Sequence, residues 1–352
     1  MAEPLHFHHA DAERAARVAV IAEAGVNHNG SVDAALRLVD AAADAGADAV
    51  KFQRFDPATL LAAGAGLADY QAAGGAADAA GLLGPLVLPG DAWTRLADAA
   101  AARGIALVVT PFSPADCRAL RPLATRLAAM KIASPDAVNP PLLVAAAAIG
   151  RPLIVSTGAA GLEELGPAVA AVRAGGPGSA LLHCVSAYPT PPDAAALGGV
   201  AALRSACGVA VGYSDHTAGV ETGGWAVAAG ACVLEKHLTL DRSAPGPDHA
   251  ASLEPAGFAD YTRRAHAAAA AVGPLAKSPS PLEAGVAAVA RQSVAAARDL
   301  PAGTVLARED LAVMRPGTGI PAAELGALAG RRLRHAARAG HLLPRDALDP
   351  PS

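Results

Sequence analysis

The sequence predicts a (β/α)8 barrel followed by a small β-rich domain, and three observations carry that reading. Eight short apolar runs of β character recur along the chain, at 18–22, 47–52, 105–110, 129–133, 153–156, 180–185, 209–212 and 232–238. Helical patterns separate them, at 32–45, 90–103, 114–124, 139–149, 162–174, 197–206 and 219–229. Such alternation closes a parallel barrel. No glycine-rich dinucleotide fingerprint opens the chain, which argues against a doubly wound open sheet.

The elements are punctuated. Ser31 precedes the first helical pattern as an N-cap and Gly46 follows it as a C′ glycine. Gly150 closes another before Arg151-Pro152. The connection 56–89 is longer than the others and rich in Gly and Ala, so it is expected over the mouth of the barrel as a functional loop. After 272 the texture changes. Three prolines and a glycine within 273–281 suggest a linker, 283–290 reads as a helix, and the remainder as a small mixed module. Two phrases there, DLPAGTVLAREDL and ARAGHLLPRDAL, form a weak internal repeat. The expected organisation is an arm at 1–17, a barrel at 18–272, a linker at 273–290 and the small domain at 291–352.

Composition excludes several classes. The 352 residues are 53% hydrophobic, with a net charge of -4. The mean hydropathy is +0.32 and the isoelectric point about 6.2. Much of the hydropathy is alanine in helical patterns, and no apolar stretch has the length of a membrane span. There is no global basic field for nucleic acid. Cys117, Cys184, Cys207 and Cys232 show no CxxC spacing, which suggests free thiols in a reducing compartment. A charged start without an apolar leader adds to the expectation of a cytoplasmic protein. His6, His8 and His9 are expected on a solvated arm.

Chemistry in such a barrel lies at the C-terminal strand ends. The stretch 209–248 is the most informative. It reads as strand, crossover helix and strand, which makes the two strands parallel neighbours. His216 and His237 then stand at the same end, close enough to share a metal ion. Lys51 and Lys131 lie inside β-type runs, where a buried ammonium needs an anion. That anion is either a ligand phosphate or carboxylate, helped by Ser and Thr hydroxyls and the amides of 156–158, or a structural partner such as Glu23 or Asp215. Together these residues fit a metal-dependent reaction on a phosphorylated small molecule.

The phrases IAEAGVNHNG, AGADAVKFQ, TPFS, KIAS, LIVSTG, LLHCVSAYPTP, VGYSDHT and LEKHLTLDRSAPGPDHAASLEP follow one another from Ile21 to Pro255. In this order they resemble the N-acetylneuraminate (sialic acid) synthase family. The tail SVAAARDLPAGTVLAREDLAVMRPGTGI resembles the antifreeze-like (SAF) domain that follows the barrel in those synthases. The resemblance implies condensation of phosphoenolpyruvate with an N-acyl mannosamine-type sugar. It implies that His216 and His237 bind a divalent metal, usually manganese, with magnesium or cobalt as substitutes. It places Lys51, Thr110, Lys131, Ser134, Ser156, Ser186 and Ser214 around phosphoenolpyruvate, and Glu23, Tyr188, Asp248 and His237 near the sugar. Glu23, Asp136 and His237 are the implied catalytic groups. Arg315 matches an arginine that reaches the N-acyl group from the other subunit of a domain-swapped homodimer. Pro135-Asp136 stands where the family usually has Gly-Glu or Gly-Asp, and Ser186 where it often has Asn. The acceptor is alternatively a 2,4-diacetamido-trideoxyhexose, giving legionaminic or pseudaminic acid. A carbohydrate-binding protein that keeps the fold without catalysis is the reading of another class.

Overall fold

Eight parallel strands close on themselves in sequence order. They are β1 (Ala19–Gly25), β2 (Ala49–Arg54), β3 (Ala106–Pro111), β4 (Ala129–Ile132), β5 (Leu153–Ser156), β6 (Ala180–Cys184), β7 (Val211–Asp215) and β8 (Val233–His237). A helix follows each: α1 (Val32–Asp44), α2 (Ala92–Ala102), α3 (Pro114–Leu120), α4 (Pro140–Ala147), α5 (Gly166–Ala174), α6 (Gly198–Cys207), α7 (Thr222–Ala228) and α8 (Pro255–Val272). This computed structural model describes residues 5, 18–62, 78–273 and 277–349. The chain divides into two units, 1–275 and 276–352.

The sequence pattern explains the elements. Ser31 caps α1 by accepting from the Ala34 amide, and Gly46 adopts φ +76° after its last turn, a conformation that glycine reaches at little cost. Each strand alternates two faces. Outward residues such as Val20, Val50, Val109, Met130, Val155, Leu181 and Leu234 pack under the helices in one large core. Inward residues sort into layers. Ala19, Ile21, Ala49, Val108, Ala129, Ile154, Ala180, Leu182 and Val233 make an apolar layer. Further along the same faces the interior turns polar.

This polar layer corrects the strand ends expected from apolar runs. β1, β2 and β7 continue past them to Gly25, Arg54 and Asp215, because Glu23, Gln53 and Ser214 there are polar ladder members facing the barrel axis. Barrel closure is explicit in the register: Glu23 of β1 lies opposite Lys51 of β2 and His237 of β8. Gly212 allows the ladder to close tightly. A Cβ there would come within 2.2 Å of the Val233 carbonyl oxygen.

Leu5 is buried against the apolar layer, so at this position the arm is not solvated. His6, His8 and His9 lie outside the described residues, as does the central part, 63–77, of the long connection. In the second unit β9 (Ser293–Ala296) pairs antiparallel with β10 (Leu311–Met314). The repeated phrases are related in space. Leu300 of the first bridges Ala337 of the second, and each ends in a short 3-10 helix, Arg308–Asp310 and Arg345–Ala347. Val294, Leu300, Leu306, Leu325, Leu333 and Leu343 fill this unit's own core. Among the described residues no helix is long and apolar enough to cross a membrane.

Candidate active site

The polar strand ends meet in a cavity of about 420 Å³ at the C-terminal mouth of the barrel. Glu23, Lys51, Lys131, Ser134, Asp136, Ser156, Tyr188, Ser214, His216, His237 and Asp248 all line it. Two expected residues do not line it: Thr110, and Ser186, which is exposed. Thr110 is fully buried and accepts a hydrogen bond from Lys51 Nζ at 3.0 Å. Ser186 abuts Gly158, where its Oγ lies 2.3 Å from the position a Cβ would take. Ser134 Oγ accepts from the Gly158 amide at 3.0 Å, so glycine here lets three strand ends converge. Arg315 belongs to the second unit, directly after β10.

One residue missed at the level of sequence organises the floor. Glu235 sits between the two lysines, with its oxygens 3.9 Å from Lys51 Nζ and 3.6 Å from Lys131 Nζ. Ser214 Oγ donates to it at 3.0 Å. Lys51 also pairs with Glu23 at 2.9 Å, and Lys131 donates to Ser156 Oγ at 2.7 Å. Burial disfavours the Lys51 ammonium, but Glu23 and Glu235 outweigh it and hold the group above its ordinary range. At Lys131 burial prevails over Glu235 and lowers it. Burial alone would raise Glu235; Lys131 and Lys51 reverse that and bring it down to about 2. Glu23 is raised, chiefly by burial.

Asp215 does not partner the cradle lysines. It faces the helix layer, 3.2 Å from Lys236 Nζ, and accepts from Thr222 Oγ1 at 2.6 Å. Lys236 also lies over the Tyr261 ring at 5.5 Å. The reason is strand alternation. Ser214, Glu235 and His237 face the cavity, so Asp215 and Lys236 face away.

His216 and His237 stand side by side, with ring centroids 5.5 Å apart and planes at 60°. His216 Nδ1 lies 2.8 Å from the Val185 carbonyl; donation there leaves Nε2 as the lone pair. Burial pushes His237 down to about 4, against the pull of Asp248, whose Oδ2 is 3.7 Å from Nδ1. The Tyr188 ring is 4.1 Å from that of His216. Among the described residues no third His, Cys, Asp or Glu joins the pair in a ligand cluster. Two imidazoles facing one cavity fit an open metal site. Cys184, not singled out by the sequence, lies 3.7 Å from His216 Nδ1.

Asp136 accepts from Asn139 Nδ2 at 2.8 Å, and burial raises its carboxyl above the ordinary range. Asp248 is raised by burial too. The cavity thus offers anion-binding ammonium groups, two imidazoles and carboxyls suited to proton transfer in one volume.

The chain belongs to the NeuB family, whose model matches residues 38–277, and residues 291–349 match the SAF domain. It is an enzyme of that family, whose members are phosphoenolpyruvate-utilising condensing enzymes. It is 38% identical to the N,N'-diacetyllegionaminic acid synthase of Legionella pneumophila, over 92% of each chain. To the N-acetylneuraminate-9-phosphate synthase of Mus musculus it is 31% identical, over 89% of this chain and 88% of that one. Among solved structures, the N-acetylneuraminic acid synthetase of Leptospira borgpetersenii is 33% identical with a TM-score of 0.69, covering 77% of this chain and 90% of that chain.

Proposed function

We propose that this enzyme condenses phosphoenolpyruvate with the open-chain aldehyde of an N-acylated amino sugar, giving a nonulosonate of the sialic acid type and phosphate. The observation that carries the reading is the convergence of Lys51, Lys131 and Glu235 with His216 and His237 in one cavity. Phosphoenolpyruvate needs cations for its phosphate and carboxylate, and the lysines with Ser134, Ser156 and Ser214 supply charge and donors. The serines suit the bridging and terminal phosphate oxygens, and Thr110 fixes the Lys51 ammonium.

A divalent cation held by His216 and His237, manganese by preference, supplies Lewis-acid polarisation of an aldehyde oxygen. The chain's own groups do the rest. The lysines hold the enol carboxylate and phosphate so that C3 faces the aldehyde carbon. The enol π pair forms the new C–C bond, the aldehyde π pair passes to its oxygen, and C2 becomes oxocarbenium-like. Water adds at C2 and gives up a proton to a carboxylate. Asp136 lines the cavity and is suited to that role, because burial raises its carboxyl and so favours proton uptake. The C–O bond to phosphate then breaks as the C2 hydroxyl yields its proton to leave the ketone; of the water's two protons one ends on the former aldehyde oxygen and one on phosphate, and the ammonium groups stabilise the departing anion.

Tyr188 and Asp248, beside the histidines, suit the acceptor's hydroxyls. Arg315 is proposed to hold the N-acyl group in the neighbouring subunit of a domain-swapped homodimer. The test is consumption of phosphoenolpyruvate with a panel of N-acyl sugars, with and without a chelator. A wild-type protein that bound the sugars without turning over, manganese present, would instead be a carbohydrate-binding protein.

A further inference from the structure

The mouth of the cavity differs in character from its floor. Phe55, Leu60 and Leu83, all from the connection after β2, line it with Phe112 after β3 and Val26 after β1. Phe55 meets Phe112 edge to face at 6.0 Å, and the five belong to one apolar cluster. Among the described residues, the lysines and arginines lining the cavity are Lys51 and Lys131 alone, and both already face carboxylates on the floor. The whole connection 56–89 contains no Lys, Arg or His.

From this wall we infer that the acceptor is unphosphorylated and deoxygenated at its distal end, carrying a methyl group at the carbon farthest from its aldehyde. The inference rests on the condensation proposed above. With the aldehyde at the histidines and phosphoenolpyruvate on the lysines, the far end of the acceptor runs against Phe55, Leu60, Leu83 and Phe112. A phosphate ester there would lose part of its hydration shell and, among the described lining residues, meet no lysine or arginine in return. A hydroxymethyl group would bury its hydroxyl against carbon. A methyl group gains from contact with the wall. Leu60, Leu83 and Phe112 are therefore specificity-determining residues for the distal end.

The full chain, with Mn2+ and phosphoenolpyruvate, should be assayed by phosphoenolpyruvate disappearance on three acceptors. These are 2-acetamido-2,6-dideoxymannose, N-acetylmannosamine and N-acetylmannosamine 6-phosphate, which differ only at C6. The expected kcat/KM is about 10- to 200-fold higher for the 6-deoxy sugar than for N-acetylmannosamine, the range for an apolar pocket facing one altered group. The 6-phosphate should not turn over. Leu60→Lys and Leu83→Lys, both at partly exposed positions, should lower turnover of the 6-deoxy sugar and admit the phosphorylated one. Equal or better use of N-acetylmannosamine or of its phosphate by the wild-type enzyme would overturn the inference and leave the condensation standing. Phosphoenolpyruvate left intact with all three sugars would overturn the condensation, and the inference with it.

Discussion

Glu235 shows how much one buried carboxylate decides. Two ammonium groups on adjacent interior positions repel each other in a medium of low dielectric. Glu235 faces both, and Ser214 holds its orientation. Replacing it by an amide leaves two cations with Glu23 as their remaining acidic neighbour. Glu235→Gln should lower unfolding stability by about 3 kcal/mol, the cost of breaking a buried ion pair, measured by urea denaturation. Phosphoenolpyruvate should then raise the melting temperature of the variant more than that of the wild type, since the ligand restores negative charge. An equally stable variant would show that the lysines do not depend on it. His216→Ala should keep the fold and lose metal-stimulated turnover by about a hundredfold or more. Full activity with the same chelator sensitivity would remove the metal assignment. The lysines were readable from sequence because an ammonium inside an apolar run demands a partner. Glu235 was not, because Glu235-Lys236 reads as a solvated charge pair at a strand end. Only the alternation of β8 sends one residue to the cavity and the other to the helix layer.

At the scale of elements, strand count and order were readable from apolar periodicity, and strand length was not. Glu23, Lys51 and Ser214, near the ends of β1, β2 and β7, are polar, so their burial follows from barrel closure and not from their own hydropathy. The same closure makes Gly212 exacting. Val233 and Leu182 fill the space where its side chain would be, so Gly212→Ala should cost about 1–3 kcal/mol of stability by overpacking the interior. Thermal melting of that variant checks it, and an unchanged melting temperature would mean that β7 can shift without loss. The connection 56–89 was readable as long. That Leu60 and Leu83 of its described ends face the cavity was not, since they carry no periodic signal within so short a pair of helical turns, Pro57–Leu60 and Ala79–Leu83.

At the scale of the whole molecule, the barrel unit holds the paired lysines and the histidine pair, and Arg315 belongs to the second unit. In the proposed swapped dimer Arg315→Ala should raise KM for the sugar with little change in KM for phosphoenolpyruvate; an unchanged sugar KM would place Arg315 outside acceptor binding. The central claim is that cradle and imidazoles serve one reaction between two substrates. The most direct measurement is stoichiometry, following phosphoenolpyruvate and free phosphate together while an N-acyl amino sugar is added or withheld. The account predicts one phosphate released for each phosphoenolpyruvate consumed, only when the sugar is present, with both signals abolished in Lys131→Ala. Phosphoenolpyruvate consumed at the same rate without sugar, or undiminished turnover in Lys131→Ala, would contradict it.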